Sequence, residues 1–226
     1  MVAILDERLW FPDPLRARGD GMVAIGGDLS VDRLVLAYSS GIFPWTVNPI
    51  TWWSPDPRGI FELENFHVSR SLQYELKRGR MEVTFDHAFE AVIRGCAEAP
   101  RDSDSTWITE EFIRAYIRLH QAGHAHSVEA WMNGELVGGL YGVAVGGLFA
   151  GESMFHRTSN ASKVCVARLV ERLKERGFVL FDTQMVTSAT VQLGAVEVRR
   201  SEYLKRLRAA MAVAAARFNV DIEKSG

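Results

Sequence analysis

Three strand-length apolar runs follow one another with no helix between them: HSVEAW from His126, ELVGGLYGVAV from Glu135 and GLFAGESMF from Gly147. They are joined at Asn133-Gly134 and Gly146-Gly147, dipeptides that tolerate the positive φ of tight hairpin turns. The spacing predicts an antiparallel meander. Directly after it, Ser159-Asn160 can cap a helix whose Val166, Leu169, Val170 and Leu173 recur at helical spacing, with Gly177 at its end. FVLFDTQ, from Phe178, then reads as a buried strand that exits on three polar residues. Such a sheet would deliver Glu152, Asp182 and Gln184 to a cleft.

The flanking segments add helices and one unusual stretch. GMVAIGGDLS leads into a helix capped by Asp28 or Ser30, with Leu34 and Tyr38 on its buried side. GIFPWTVNPITWWSPDPRGIF combines four prolines with Trp45, Trp52 and Trp53. Proline fixes φ and removes a donor, so an extended, stiff segment is expected here rather than a helix or a central strand. It serves either as a lid over the core or as an aromatic wall for a flat ligand. Ser69 or Ser71 starts a short helix, MEVTF is a strand, and DHAFEAVIRGCA is a helix burying Phe89, Val92, Ile93 and Cys96. After the charged loop EAPRDSDS, Thr109 caps a helix with Phe112, Ile113 and Tyr116 inward. A terminal helix is expected in the alanine-rich tail from Arg199. The boundary falls at the proline-rich segment, giving a small N-terminal domain over residues 1–58 and a larger one over 59–226.

Composition narrows the class. A chain of 226 residues with 47% hydrophobic content can bury a full core. Cys96 and Cys165 both fall on apolar helix faces, which predicts buried thiols in a reducing compartment rather than a disulfide or metal site. No basic-then-apolar leader and no apolar run near the ~20 residues of a bilayer span is present, so a cytoplasmic protein with no membrane contact is expected. The net charge of −2 hides basic clusters at Lys77, Arg78 and Arg80 and along the C-terminal helix. His124 and His126 alternate on a strand, but without further ligands nearby they read as a structural pair and no metal is expected.

From about Val83 the order helix, helix, meander, helix, strand is that of the N-acetyltransferase-like α/β fold, with a mixed, largely antiparallel central sheet. The R/Q-x-x-G-x-G/A loop that grips CoA phosphates in that fold is missing; its position holds HRTSNASK, from His156. Beyond this order, GGDLS, GIFPW, WWSPDPR, TWIT, GHAHSVE, LVGGLYG, GESMF, NASK, FDTQ and LGA, in sequence from about residue 11 to 207, closely resemble the leucyl/phenylalanyl-tRNA–protein transferases. The resemblance implies transfer of Leu or Phe from aminoacyl-tRNA to the N-terminal amine of proteins beginning with Arg or Lys, marking them for N-end rule degradation. It implies no cofactor.

The same resemblance assigns residues. Asp182 and Gln184 match the family's D-x-Q motif, with the Gln184 carbonyl accepting from the incoming amine and Asp182 polarising the glutamine. Two apart on a strand, they would share a face, with Thr183 opposite. Glu152 would be an anion near the cationic acceptor terminus; otherwise it is a buried glutamate paired with Arg157 or Lys163. Leu140, Met154, Val166, Leu169, Leu173 and Phe181 match the donor side-chain pocket, and Trp45 and Trp107 match tryptophans around the donor or its 3′ adenosine. Lys77, Arg78 and Arg80 match a basic cluster on the acceptor stem, acting through phosphates. Trp52 and Trp53 are expected to be structural.

An aminoacyl ester is already activated, so no covalent nucleophile is needed; the demands are juxtaposition with a neutral amine, oxyanion stabilisation and a proton path. That path runs either through Asp182 as a relay or through water or ribose with Gln184 only positioning the amine. Departures from the family pattern are Ala189 in place of a histidine and aliphatic Leu169 and Leu173 in place of aromatics. The alternatives are a non-catalytic binding module for tRNA ends or protein N-termini and a CoA-dependent N-acetyltransferase. A monomer is expected.

Overall fold

The three apolar runs form the centre of a seven-stranded sheet, seen in a computed structural model that describes residues 2–99, 106–214 and 216–219. The meander is β7 (Ala125–Met132), β8 (Glu135–Val145) and β9 (Leu148–His156). Asn133 and Gly134 take φ of 53° and 81°, and Gly146 takes 54°, so each turn uses left-handed backbone, at both positions in the first and at Gly146 in the second. β6 (Glu82–Phe85) extends the sheet on one side. On the other side β10 (Leu180–Gln184) lies parallel to β9, followed by β5 (Arg58–Phe61) and β11 (Val196–Val198), both antiparallel to their neighbours. The mixed, largely antiparallel sheet expected from the sequence is therefore present.

Helices cover both faces. α1 (Val31–Ser39), α3 (Phe89–Glu98), α4 (Glu110–Gln121) and α7 (Arg200–Met211) share one apolar core with Tyr141, Val143 and Ala150 of the sheet. α2 (Arg70–Arg78) and α5 (Ala161–Glu175) close the other face over Val128, Leu140 and Phe149, and a single turn, α6 (Ser188–Val191), lies between β10 and β11 in the chain. Ser30, Ser69 and Thr109 cap α1, α2 and α4 through their side-chain oxygens. Asn160 instead caps α5 with a left-handed backbone and no side-chain bond. The charged loop EAPRDSDS runs into residues 100–105, which lie outside the described residues.

The proline- and tryptophan-rich stretch differs from the expectation. It is a β-hairpin, β3 (Phe43–Val47) and β4 (Ile50–Trp53), in a second sheet ordered β1 (Ala3–Leu5), β2 (Met22–Gly26), β4, β3. β4 is an interior strand. The prolines allow this because Pro44 lies on the edge strand β3 and Pro49 in the turn, while β4 itself contains none. Trp52 is fully buried and donates from Nε1 to the Gly26 carbonyl at 2.8 Å, and Trp53 donates to Thr51 Oγ1, so both serve the packing. The sheet's residues join the same core as α3 and α4, and Tyr38 Oη lies 2.5 Å from Tyr116 Oη across the junction.

Candidate active site

The site is opened by two strands that part. β9 and β10 pair from Leu148–Leu180 to Ala150–Asp182 and no further, while β10 shifts register against β5 between Asp182 and Gln184. Beyond Ala150, β9 keeps its pairing with β8 while a gap opens on its β10 side. A cavity of about 240 Å³ fills the gap on the α5 side. Leu140, Met154, Val166 and Phe181 line it, together with Phe61, Leu193, Met185 and Thr190. An apolar cavity of roughly 150 Å³ already admits benzene, so the space takes a leucyl or benzyl side chain.

Leu169 and Leu173 do not reach this surface. Both are fully buried in the core beneath α5, and of the α5 residues named from sequence only Val166 lines the cavity. Their expected place in the pocket is corrected accordingly: helical periodicity marks an inward face, but only the end of that face near the parted strands meets the opening.

A second cavity of about 200 Å³ adjoins the first and shares Glu152, Thr183, Met185 and Thr187 with it. Its other walls are Phe43, Pro44, Trp45, Trp107 and Gln184. Trp45 and Trp107 thus come together from β3 and from the turn before α4, half-buried rather than sealed in the core. Trp45 is braced by Trp53 at 5.7 Å between ring centroids, and Trp107 by Phe112 at 5.5 Å. Two indoles so supported can receive a flat ring with little loss of side-chain freedom.

Glu152 and Gln184 stand where the cavities meet. Gln184 Nε2 donates to Glu152 Oε1 at 2.5 Å, which leaves the carboxamide oxygen to accept from a ligand. Tyr116 Oη donates to Glu152 Oε2 at 3.2 Å and is itself bonded to Tyr38, so a chain of hydroxyls runs from the carboxyl into the core. Neither Arg157 nor Lys163 pairs with Glu152: Arg157 faces Glu98, and Lys163 donates to Gln192. Burial, with a smaller contribution from the Asp182 charge, pushes the Glu152 carboxyl up to about 7 against its hydrogen bonds from the tyrosines and Gln184.

Asp182 is placed otherwise than expected. It is fully buried, lines neither cavity, and takes a bidentate pair from Arg58, at 2.9 Å from Nε and 2.6 Å from Nη2. Tyr203 Oη donates to the same carboxylate at 2.8 Å. Its link to Gln184 is through the backbone, whose N–H donates to Asp182 Oδ1 at 2.8 Å. Asp182 and Gln184 therefore do not share a face. The bulge and the φ of 62° at Gln184 break strand alternation, so Thr183 and Gln184 both reach the cavities while Asp182 turns toward α7. The Gln184 carboxamide hydrogen-bonds Glu152, while Asp182 accepts from the Gln184 backbone.

The remaining expectations lie away from this centre. Lys77 and Arg78 are exposed at the end of α2, Arg78 over the Tyr74 ring, while Arg80 is exposed and paired with Glu75 at 2.6 Å. His126 bonds Asp86 at 2.7 Å and stacks on Phe218. Among the described residues, no cluster of three or more His, Cys, Asp or Glu is arranged to hold a metal, and no helix is long and apolar enough to cross a membrane. Cys96 and Cys165 are both buried. Sequence reasoning missed Arg58, the Tyr38–Tyr116 hydroxyl chain that ends on Glu152, and the wall formed by Met185, Thr187 and Thr190. The first carried a signal: an arginine directly ahead of the apolar run GIF asks for a buried carboxylate partner.

A mixed α/β protein with a largely antiparallel seven-stranded sheet and two joined cavities at a parted strand pair is thus the class that fold and site define. The chain belongs to the leucyl/phenylalanyl-tRNA protein transferase family: the model of that family matches residues 60–208 and the model of its N-terminal domain matches residues 27–56. It is 53% identical to the leucyl/phenylalanyl-tRNA–protein transferase of Solidesulfovibrio magneticus over 92% of this chain and 85% of the relative. It is 54% identical to that of Syntrophotalea carbinolica, over 91% and 90% of the two chains. Among solved structures it is similar to the C-terminal domain of a putative lysylphosphatidylglycerol synthetase from Agrobacterium fabrum, at 12% identity and a TM-score of 0.41, covering 85% of this chain and 62% of that one. A ribosomal-protein-alanine N-acetyltransferase from Brucella melitensis biovar Abortus 2308 gives 15% identity and a TM-score of 0.35, over 50% of this chain and 86% of that one.

Proposed function

We propose that this chain transfers leucine or phenylalanine from aminoacyl-tRNA to the α-amine of proteins that begin with arginine or lysine. It does so as a cytoplasmic monomer built of two domains meeting near residue 58. The observation that carries the reading is the junction itself: an apolar cavity and a tryptophan-walled one meet at a glutamate hydrogen-bonded to a glutamine. The donor's side chain occupies the first cavity and its 3′ adenosine lies against Trp45 and Trp107, which places the ester at the junction. Lys77, Arg78 and Arg80 hold the acceptor stem through its phosphates.

The acceptor amine enters beside Glu152 and Gln184. The carboxamide oxygen of Gln184 accepts one N–H of the neutral amine and aligns its lone pair with the ester carbonyl. A glutamine is a poor base, so the proton lost on attack passes to the Glu152 carboxylate, whose raised pKa suits it to take a proton near neutral pH and return it to the leaving ribose oxygen. Backbone N–H groups of β9 just beyond the last β9–β10 pair, at Ala150 and Asp182, stabilise the developing oxyanion. The test is transfer of labelled phenylalanine from Phe-tRNA to peptides differing only in their first residue. Labelling of the Arg and Lys peptides is expected. Donor binding without labelling would instead support a binding module, and labelling only with acetyl-CoA would support an acetyltransferase.

A further inference from the structure

The Arg58 guanidinium contacts one wall of the second cavity directly, at Phe43, and reaches Gln184 of the other through Asp182, without lying in the cavity itself. On one side it holds β10: Nε and Nη2 grip Asp182, whose Oδ1 accepts the backbone N–H of Gln184 at the bulge. On the other it holds the approach to β3. Nη1 donates to the Gly41 carbonyl at 3.1 Å, and the guanidinium carbon lies 4.9 Å from the centroid of Phe43, two residues before Trp45. The Tyr203 ring of α7 packs against the guanidinium at 4.4 Å and its hydroxyl donates to Asp182. Arg58 is 1% exposed. The planar fork matters, because a carboxylate, a carbonyl and two ring faces are satisfied at once, and an ammonium has no such shape.

We propose that Arg58 is a positioning residue for the transfer reaction, tying the wall that carries Trp45 to the bulge that carries Gln184 and so fixing the separation at which ester and amine meet. This rests on the functional reading above and assigns Asp182 to the same clamp rather than to the proton path. Gln184 sits at a positive φ that an L side chain adopts only when its surroundings hold it there, and the Asp182 bond is the local restraint. Release of the clamp lets the bulge relax and Gln184 move, while the apolar cavity, whose lining includes no member of the clamp, stays intact.

The test compares Arg58→Lys, Arg58→Ala and Tyr203→Phe with the wild-type chain. For Arg58→Lys, kcat should fall about 100-fold, the loss expected of a misplacement near 1 Å, with the donor KM little changed and a cooperative unfolding transition above the assay temperature. In Arg58→Ala, guanidinium ion well below denaturing concentration should restore part of kcat, and methylammonium should not. Tyr203→Phe, which keeps the covering ring, should lower kcat by only a few-fold and serves where the Arg58 variants fail to fold. A kcat that merely tracks the folded fraction, or guanidinium that raises the melting temperature without raising kcat, overturns the proposal. Hydrogen exchange at the Gln184 amide needs no substrate and separates the two readings. Faster exchange there in Arg58→Lys or Tyr203→Phe, with β8 unchanged, supports the clamp even if the wild-type chain transfers nothing; unchanged exchange sinks the clamp even if transfer is robust.

Discussion

The two cavities are built by opposite means. The first is what regular packing leaves when strands part: Leu140, Met154, Val166 and Phe181 are ordinary inward residues of β8, β9, α5 and β10 that border a cavity because a ladder ends. The second is built from irregularities: a hairpin carrying Pro44 and Trp45, a register shift in β10, and a glutamine in left-handed backbone. Grip on an apolar side chain needs only volume and dry walls, whereas bringing an amine to an ester needs fixed directions, and directions come from departures from regular structure. Substitutions should separate the two accordingly, those in the first changing which donor is chosen and those in the second changing whether transfer occurs.

The sharpest division should come from Glu152→Gln. The change keeps shape but removes the proton acceptor, so turnover should fall by about 10²–10⁴, measured as kcat for Phe transfer, with donor binding intact. Two groups limit the wild-type rate at low pH. The Glu152 carboxyl must be ionised, which occurs as pH rises through about 7, and the acceptor amine must be neutral, near its ordinary ~8. The variant should keep only the second limb. Stability gives the reverse sign: burial raises this carboxyl in the folded protein, so wild-type stability contains a contribution present below about 4.5 and lost as pH rises through about 7. Melting of the variant should lack that loss. Equal kcat in the two proteins would remove Glu152 from the chemistry.

Leu169→Ala should act on the fold and leave the reaction alone. Its side chain is fully buried under α5 and away from both cavities, so unfolding free energy should drop by about 2–5 kcal/mol in denaturant titration, with the Leu-to-Phe preference of the remaining folded protein unchanged. A shifted preference would show that α5 moves as a unit and transmits to the cavity. Trp45→Ala should weaken donor binding by about 1–3 kcal/mol, read as an increased Kd for aminoacyl-tRNA or an aminoacyl adenosine, since one stacked base loses its platform. Unaltered affinity would return Trp45 to a packing role beside Trp53.

What could be read in advance follows the same division. Apolar runs, turn dipeptides and caps are local, so the meander, α1 to α5, α7 and the inward positions of Leu140, Met154, Val166 and Phe181 followed from periodicity or from the family pattern. β5 escaped because four residues, RGIF, carry no period, and its place between β10 and β11 is set by partners distant in the chain. The facing of Asp182 and Gln184 escaped because strand alternation presumes no bulge, and the shift that turns Asp182 toward Arg58 depends on an ion pair across 124 residues. Leu169 and Leu173 show the converse limit: an inward helical face is legible, but where along it a cavity ends depends on where β9 and β10 part.

The finest probe of the comparison is Val166→Ala. Val166 is the α5 residue that lines the first cavity, and its loss adds about two methyl groups of space against Met154 and Leu140. A cavity change of that size alters donor preference by about 1–3 kcal/mol at most, in favour of the larger phenylalanyl group over leucyl. The ratio of kcat/KM for Phe-tRNA and Leu-tRNA measures it, with the acceptor peptide held constant. Because Glu152, Gln184 and the tryptophan wall are untouched, KM for the acceptor should not move. A ratio that stays fixed while acceptor KM rises would mean that the two chambers are one space, and that the junction at Met185 and Thr187 does not divide donor choice from amine placement.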